Sequence, residues 1–492
     1  MRFGRATHGW KAESAPRLLW RMTSAISPLN GSGNKIKSED CNSMKAIQVL
    51  FFTALIVATI ASARAQTETA SSQPLPKTES VPPAQAVLSD GSSSAAVEPA
   101  ATTPKRNAPV SVRRDGLWFS TSDGATQLHV HGYAQLDDRM FSANTHGQEL
   151  DTFMFRRIRP LFEGTLFNTV DFRFMPDFGQ NNPQIQEAFL ELKTLKFAKL
   201  RVGKFKEPIG LEVLRSDRDL TFAERSLASD LVPLRYIGAQ LSGSVLSDSI
   251  TYAGGYFDGS SDGSNGVFTQ WAHSNEAAVR LFFHPFATTG VSAIRQFGMG
   301  VAGSAGDQHG TIAGLKTVGQ TTFFKYSSTA LANGQHNRLS PQAYYYAGPF
   351  GLMGEYVVSS QQVLNKGVTA RVKNEAWQIA GSVMLTGEKN AYSGVRPRNA
   401  SEHVTGFRRL GAVELAVRYS QLRIDGDAFP LFANPKSAAQ FAKEQGIGLN
   451  WYLNRYIKLE TDYEHTGFRM ASATVTPLHS ENVLVSRIQL AF

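Results

Sequence analysis

The sequence predicts an all-β fold: a transmembrane antiparallel β-barrel of about 16 strands, with one loop folded inward to constrict it. Three observations carry this. Long stretches alternate apolar and polar residues with period two. Short and long connections take turns when the chain is walked backwards from its end. The final run, Leu484 to Phe492, is a period-two strand that stops on an aromatic, as the closing strand of an outer-membrane barrel commonly does.

The alternation is sustained from Gly116 onward. Leu128, Val130, Gly132, Ala134 and Leu136 alternate with His129, His131, Tyr133, Gln135 and Asp137. Trp377, Ile379, Gly381, Val383 and Leu385 alternate with Gln378, Ala380 and Ser382. Ile457, Leu459, Thr461 and Tyr463 alternate with Lys458, Glu460, Asp462 and Glu464. A soluble sandwich turns such a charged face to bulk water. A membrane barrel turns it to the lumen and gives the apolar face to lipid. By that rule Ile488 and Leu490 meet lipid, and Arg487 and Gln489 face the lumen.

Loop lengths favour the membrane barrel. With the C-terminus in the periplasm, 482–492 descends, 466–481 is an outer loop, and 456–465 ascends from a short turn at Asn454-Arg455. The strand 446–453 descends from a long outer loop at 423–445, in which Ser437–Glu444 reads as a short helix. Short inner turns and long outer loops are the rule for such barrels. The segment 388–410 breaks it, being a long inner connection.

The chain has 492 residues, 42% of them hydrophobic, and a single cysteine, Cys41, so no disulfide framework exists. The formal charge is +9, but residues 1–65 hold nine Lys/Arg against three Asp/Glu, leaving 41 against 38 beyond them. Bulk charge therefore demands no nucleic-acid partner. Met44-Lys45, an apolar stretch from Ala46 to Ala61 and the small-x-small run Ala63-Arg64-Ala65 form a signal peptide over 44–65. Residues 1–43 upstream of it read as a mis-called extension. Residues 66–115, rich in Pro, Ala and Ser, read as a disordered periplasmic leader. The barrel domain is expected over 116–492.

Three basic features stand out within it. Arg156-Arg157-Ile158-Arg159 follows Phe153, Met154 and Phe155. Adjacent residues of an ideal strand face opposite sides, and an arginine facing lipid costs roughly 2–4 kcal/mol at the midplane. Both arginines reach water only if the strand is bulged or ends there. A rim pair holding lipopolysaccharide phosphates is the plainer reading. The second feature is Lys196, Lys199, Arg201, Lys204 and Lys206, and a solvated strand end explains several of these. The third is the stretch from Arg215 to Arg235, where Arg215, Arg218, Arg225 and Arg235 are balanced by Asp217, Asp219, Glu224 and Asp230. It is too long for a turn and reads as an inward-folded loop, held either around a pore or simply by its own salt bridges.

At these residues the sequence resembles the phosphate-selective porin O and P family. The resemblance runs through "GYAQLDDR" at Gly132–Arg139, "FRRIRP" at Phe155–Pro160, "RVGKFKEPIGLE" at Arg201–Glu212 and "AERSL" at Ala223–Leu227. It continues through "LTGE" at Leu385–Glu388, "ELAVRYSQL" at Glu414–Leu422, "GLNWYLN" at Gly448–Asn454 and the terminal "RIQLAF". It implies a homotrimer in the Gram-negative outer membrane, in contact with lipid and lipopolysaccharide, passing phosphate or related anions by passive diffusion. It implies an anion-binding constriction of Arg156, Arg157 and Arg225. Arg159, Lys206, Lys204, Arg215 and Arg218 are further pore-lining candidates. Three positions depart from the family pattern: Arg159 and Lys206 stand where aromatics are expected, and Asp171 where a lysine is. No catalytic residue, cofactor, metal or nucleic acid is expected.

Two rival readings follow. The same fold serves a weakly selective general diffusion porin, which the near-neutral barrel and the lost pore aromatics favour. An outer-membrane lipid hydrolase would need a nucleophile and a base on the lipid-facing wall. His129 and His131 sit on the inward parity, and no Ser/His pair presents itself.

Overall fold

The computed structural model describes residues 110–113, 115–142, 151–195, 197–259, 274–397, 411–472 and 478–492. The expected extension at 1–43, the expected signal peptide at 44–65 and all of the expected leader before Val110 lie outside them, as does Lys196. The end of the expected leader is already structured. Strand β1 (Val110–Arg113) pairs with β2 (Gly116–Ser120), and β2 continues onto β3, so ladder hydrogen bonds claim backbone upstream of the expected start at 116.

Sixteen strands close the barrel among the described residues. They are β3 (Gln127–Phe141), β4 (Thr152–Leu166), β5 (Val170–Asp177), β6 (Gln184–Leu195), β7 (Ala198–Lys206), β8 (Arg235–Val245), β9 (Ile250–Phe257), β10 (Asn275–Phe283) and β11 (Gln296–Thr311). After a small hairpin of β12 (Leu315–Lys316) and β13 (Thr322–Phe324) come β14 (Leu331–Ala347), β15 (Phe350–Asn365), β16 (Val368–Met384), β17 (Ala412–Arg423), β18 (Ala439–Tyr452), β19 (Ile457–Met470) and β20 (Glu481–Ala491). Each barrel strand pairs antiparallel with the next, and β20 closes on β3 from Ala491↔Tyr133 to Val483↔Phe141. Closure leaves no edge of unpaired backbone in the membrane.

Side-chain placement inverts that of a soluble domain. Leu190, Leu352, Val417, Ile447 and Leu490 are exposed on the outside, while Glu355, Gln378, Arg418, Glu464 and Arg487 are buried within. That is the period-two pattern read with lipid as the outer solvent. The expected sides of the last strand are the observed ones: Leu490 is exposed, and Arg487 and Gln489 are buried inside.

Inner turns at 167–169, 246–249, 348–349 and 453–456 are short, and outer connections at 207–234, 312–330 and 424–438 are long. The outer turn at Lys366-Gly367 is an exception. Both residues take positive φ (50° and 79°), as a two-residue hairpin turn requires. The helix expected at Ser437–Glu444 does not form. β18 starts at Ala439 and pairs with β17 and β19, and two ladders outweigh the helix propensity of an Ala/Lys/Glu run.

The long inner connection runs from 385 to 411, and its described part has a reason to be long. It climbs back into the lumen. Tyr392 stacks on Tyr344 at 4.8 Å and donates its hydroxyl to the Leu211 carbonyl at 2.6 Å. Gly394 lies so near Asp219 that an added Cβ would sit 2.7 Å from its carboxylate. So this connection meets the outer loop 207–234, which descends from the other side.

That outer loop carries a short helix, α1 (Leu211–Leu214), and a 3-10 turn at Leu227–Leu231. The wall of charged strands holds it. Glu355 accepts from the backbone N–H groups of Leu211 (2.6 Å) and Glu212 (3.2 Å). Asp462 accepts from Ala223 N–H at 2.6 Å. Lys458, Asn450 and Arg418 donate to the carbonyls of Leu220, Thr221 and Glu224 at 2.8, 2.7 and 2.8 Å. An inward loop has buried backbone groups that need partners, and these side chains supply them. The charged face of β19 is therefore inward as expected, but much of it is roofed by the loop instead of lining water. Phe222 completes the seal, with the Arg418 guanidinium 4.3 Å over its ring.

Candidate constriction site

The site is built on an irregularity of β4. Against β3, Gln135 faces Arg157 and Leu136 faces Phe155, so Arg156 is an extra residue with no partner in the ladder. This is the bulge the arginine pair demanded. Phe153 and Phe155 keep to the outside, while Arg157 is 2% exposed and Arg156 turns inward. Asp177 at the end of β5 steadies the distortion, accepting from Ile158 N–H (3.1 Å), Gly179 N–H (2.9 Å) and Arg159 Nε (2.7 Å).

Two carboxylates of the inward loop organise the guanidiniums. Glu224 takes Arg156 through two oxygens, from Nε at 2.5 Å and Nη2 at 3.1 Å. It also meets Arg139 at 2.8 Å, Arg487 at 3.3 Å and Arg157 at 3.6 Å. Asp217 meets Arg225 at 2.5 Å, Arg235 at 3.4 Å and Arg157 at 3.8 Å, and is ion-paired with Arg159. Burial pushes Asp217 up, but Arg225, Arg159 and Arg157 together outweigh it and hold the carboxyl well below the usual range. Burial likewise opposes ionisation of Glu224, and Arg156, Arg157, Arg139 and Arg487 overcome it. The surrounding guanidiniums therefore favour the charged form of both acids.

Arg156, Arg157 and Arg225, expected to meet, do meet, and each carries a carboxylate partner. Arg159 joins them, bonded also to the Tyr133 hydroxyl at 2.9 Å. Lys206 points to the same region and donates to the Arg215 carbonyl at 2.5 Å. Arg215 is turned into the loop itself, on Thr221 at 3.0 Å and the Asp219 carbonyl. Arg218 is half-exposed on the periplasmic side, with Asp219 3.8 Å away. Lys204 lines neither chamber of the pore. Asp171, in place of the family's lysine, pairs with Lys193 at 2.6 Å near the inner turn.

Two chambers meet here. The outer one is lined by Arg156, Arg157, Arg159, Arg225 and Asp230 among others, the inner one by Arg173, Arg201, Lys206 and Arg280. Asp217 and Arg235 line both. Sequence reading named the arginines but not their holders. Asp217 and Glu224 were in view only as the acidic half of a balanced loop, Asp137 and Arg487 showed only an inward parity, and Arg139 was only the end of a motif. Arg487 grips Asp137 at 2.6 and 2.7 Å across 350 residues of sequence, a pairing no local pattern signals.

Asp230 gives the outer chamber a charge that changes with pH. Burial raises its carboxyl to about 7, despite the Lys316 N–H it accepts at 2.8 Å. Below that pH it is neutral; above it, the chamber gains a negative charge. Such an acid also disfavours the folded loop increasingly as pH climbs from its unfolded value toward about 7. Anion preference is expected to be higher at about pH 6 than at about pH 8, a unit either side of the transition. Asp230→Asn should flatten that dependence in bilayer reversal potentials.

The family model for phosphate-selective porin O and P matches residues 128–492. Porin O of Pseudomonas aeruginosa is 23% identical over 386 residues, covering 71% of this chain and 85% of that protein. Among solved structures, the outer membrane channel DcaP of Acinetobacter baumannii aligns with a TM-score of 0.49 at 10% identity, over 77% of this chain and 100% of the other. The anion-selective porin from Comamonas acidovorans aligns at 0.47 and 9%, over 75% and 100%. The trimer form of OmpT, an outer membrane protein of Vibrio cholerae, aligns at 0.46 and 12%, over 75% and 100%. A family match that begins within β3 and runs to the last residue places this barrel in the Gram-negative outer membrane, and the chain belongs to the phosphate-selective porin O and P family.

Proposed function

We propose that the protein passes small anions, phosphate and related oxyanions first, by passive diffusion through the arginine cluster between its two chambers. The observation that carries this is an excess of guanidiniums. Arg139, Arg156, Arg157, Arg159, Arg225, Arg235 and Arg487 surround Asp137, Asp177, Asp217, Glu187 and Glu224, with Lys206 beside them. Guanidiniums are always charged and grip oxyanions through two bonds. Glu224 takes Nε and Nη2 of Arg156, and Asp217 meets Nη2 of Arg225; both side chains line the outer chamber, where their remaining N–H groups can meet a passing anion. Short, multi-site binding of this kind admits an ion and still releases it. The arrangement needs no catalytic step and no cofactor. Assembly as a homotrimer seated in lipid and lipopolysaccharide is part of the same reading, supported by family membership.

The close pairing of every central arginine favours a second reading, a weakly selective general diffusion porin. One set of recordings separates them. Reversal potentials in a KCl gradient should show anion preference, and phosphate should block chloride current. Replacing Arg156, Arg157 and Arg225 with Ala should weaken that block by about tenfold or more, equivalent to ~1.4 kcal/mol. Cation preference would end the anion reading. Anion preference without phosphate block would leave the general porin.

A further inference from the structure

A second cluster sits at the periplasmic end of the lumen and has no part in the constriction. His129 and His131 lie on the inward face of β3, and Glu163 stands directly across from His129 on β4. Glu163 Oε1 is 3.0 Å from His131 Nε2 and 3.8 Å from His129 Nδ1. His129 Nε2 is 2.8 Å from the Asp115 carbonyl oxygen. A carbonyl only accepts, so that nitrogen carries the proton of the neutral ring. The lone pair on Nδ1 is then aimed at a carboxylate oxygen. A cation placed between them would be shared by both.

We propose that His129 Nδ1, His131 Nε2 and Glu163 Oε1 bind a divalent transition-metal ion of the zinc or copper type, with water completing its coordination. The ligand set suits that class: imidazole nitrogens with one carboxylate select such ions over the all-oxygen preference of calcium and magnesium. The spacing suits it as well. Two atoms each ~2.1 Å from one ion at a tetrahedral angle lie about 3.4 Å apart, between the two distances from Glu163. The outer atoms are held as metal ligands usually are. The Asp115 carbonyl fixes His129, and Arg173 takes the far oxygen of Glu163 through Nε at 2.8 Å and Nη2 at 2.7 Å. Access is open, because the cluster lines the cavity that also carries Arg455, Lys458 and Phe492. The two imidazoles stack 4.2 Å apart and 8° from parallel, so binding tilts them out of the stack. This proposal runs against the expectation that the chain holds no metal.

The competing role is a plain staple. Trp118 of β2 stacks on His129 at 4.1 Å with Arg113 of β1 4.5 Å over the indole, which ties the β1–β2 hairpin to the barrel. Copper titration of the purified, untagged porin at mildly alkaline pH distinguishes the two roles. Electron paramagnetic resonance should show one Cu²⁺ per chain with hyperfine coupling to two nitrogens, and Zn²⁺ should displace it. His131→Ala should leave coupling to one nitrogen and weaken binding by about 100-fold or more, beyond the loss expected from an outer-partner change. Glu163→Gln, which keeps shape, should weaken binding while retaining two nitrogens; it is read alone if His131→Ala fails to give the heat-modifiable barrel. Lys366→Ala, in the outer hairpin turn, should leave copper binding unchanged. No stoichiometric copper signal, or a two-nitrogen signal that survives His129→Ala with His131→Ala, would overturn the site and leave the staple.

Discussion

Asp217→Asn is expected to strengthen anion preference and tighten phosphate block by about tenfold, equivalent to ~1.4 kcal/mol. Asp217 is the one carboxylate shared by Arg157, Arg159, Arg225 and Arg235, and it lines both chambers. Its removal takes away a full negative charge at the junction. At ~4 Å and an effective dielectric of ~20 that charge is worth about 4 kcal/mol to an ion, before screening by the electrolyte. The substitution also releases four guanidinium edges that an oxyanion can then occupy. The cost falls on the fold: four like charges lose a common partner, and the loop should loosen. Thermal unfolding in detergent separates the two effects, and Asp217→Glu, which keeps the charge, should restore the wild-type current. If phosphate block is unchanged in a folded Asp217→Asn barrel, these arginines do not bind the ion.

Arg418→Ala should destabilise the barrel by about 3–5 kcal/mol, the cost of stranding buried charges by removing one partner. Arg418 is fully buried against Glu444 and Glu464, each at 2.7 Å, with Glu212 at 3.6 Å, and it holds the Glu224 carbonyl and the Phe222 ring. Its loss uncouples the inward loop from β17, so single-channel recordings should show larger, noisier conductance together with a lower unfolding temperature. Adding Glu464→Gln should recover part of the stability, because the second change removes a charge left without a partner. Equal stability of Arg418→Ala and wild type would show that the loop is held by its other anchors.

Much of this architecture can be read along the chain because a barrel strand writes its two environments into alternate residues. The sides of Leu490 and Arg487, the short inner turns and the need for a bulge at Arg156 and Arg157 all follow from local pattern and the cost of charge in lipid. The site was legible as residue types, since Arg156, Arg157 and Arg225 do converge. Its chemistry was not. Whether Arg156 is open or paired depends on Glu224, brought to it by a loop whose anchors, Glu355, Lys458 and Asp462, lie far along the sequence. The helix expected at Ser437–Glu444 failed for the same kind of reason: partners on both sides, absent from the local text, decide the ladder. The long connection after β16 was visible as an anomaly, but its contact with Leu211 depends on where the outer loop descends.

The extra residue in β4 has one further consequence. On the outer side of Arg156, odd-numbered residues such as Phe153 and Phe155 face lipid; on the inner side, odd-numbered Arg157, Arg159 and Leu161 are buried. The bulge is a phase shift, and it lets one strand obey two opposite reading frames. Deleting Arg156 alone would therefore merge the two frames into one: Phe155 and Arg157 would become neighbours on opposite faces, still across from Leu136 and Gln135, and every other side chain of the strand would keep its solvent. A deletion at a regular position of the same strand would instead re-address one end of it to the wrong solvent. The bulge is thus a place where the strand can lose a residue at the cost of one guanidinium and not of its topology.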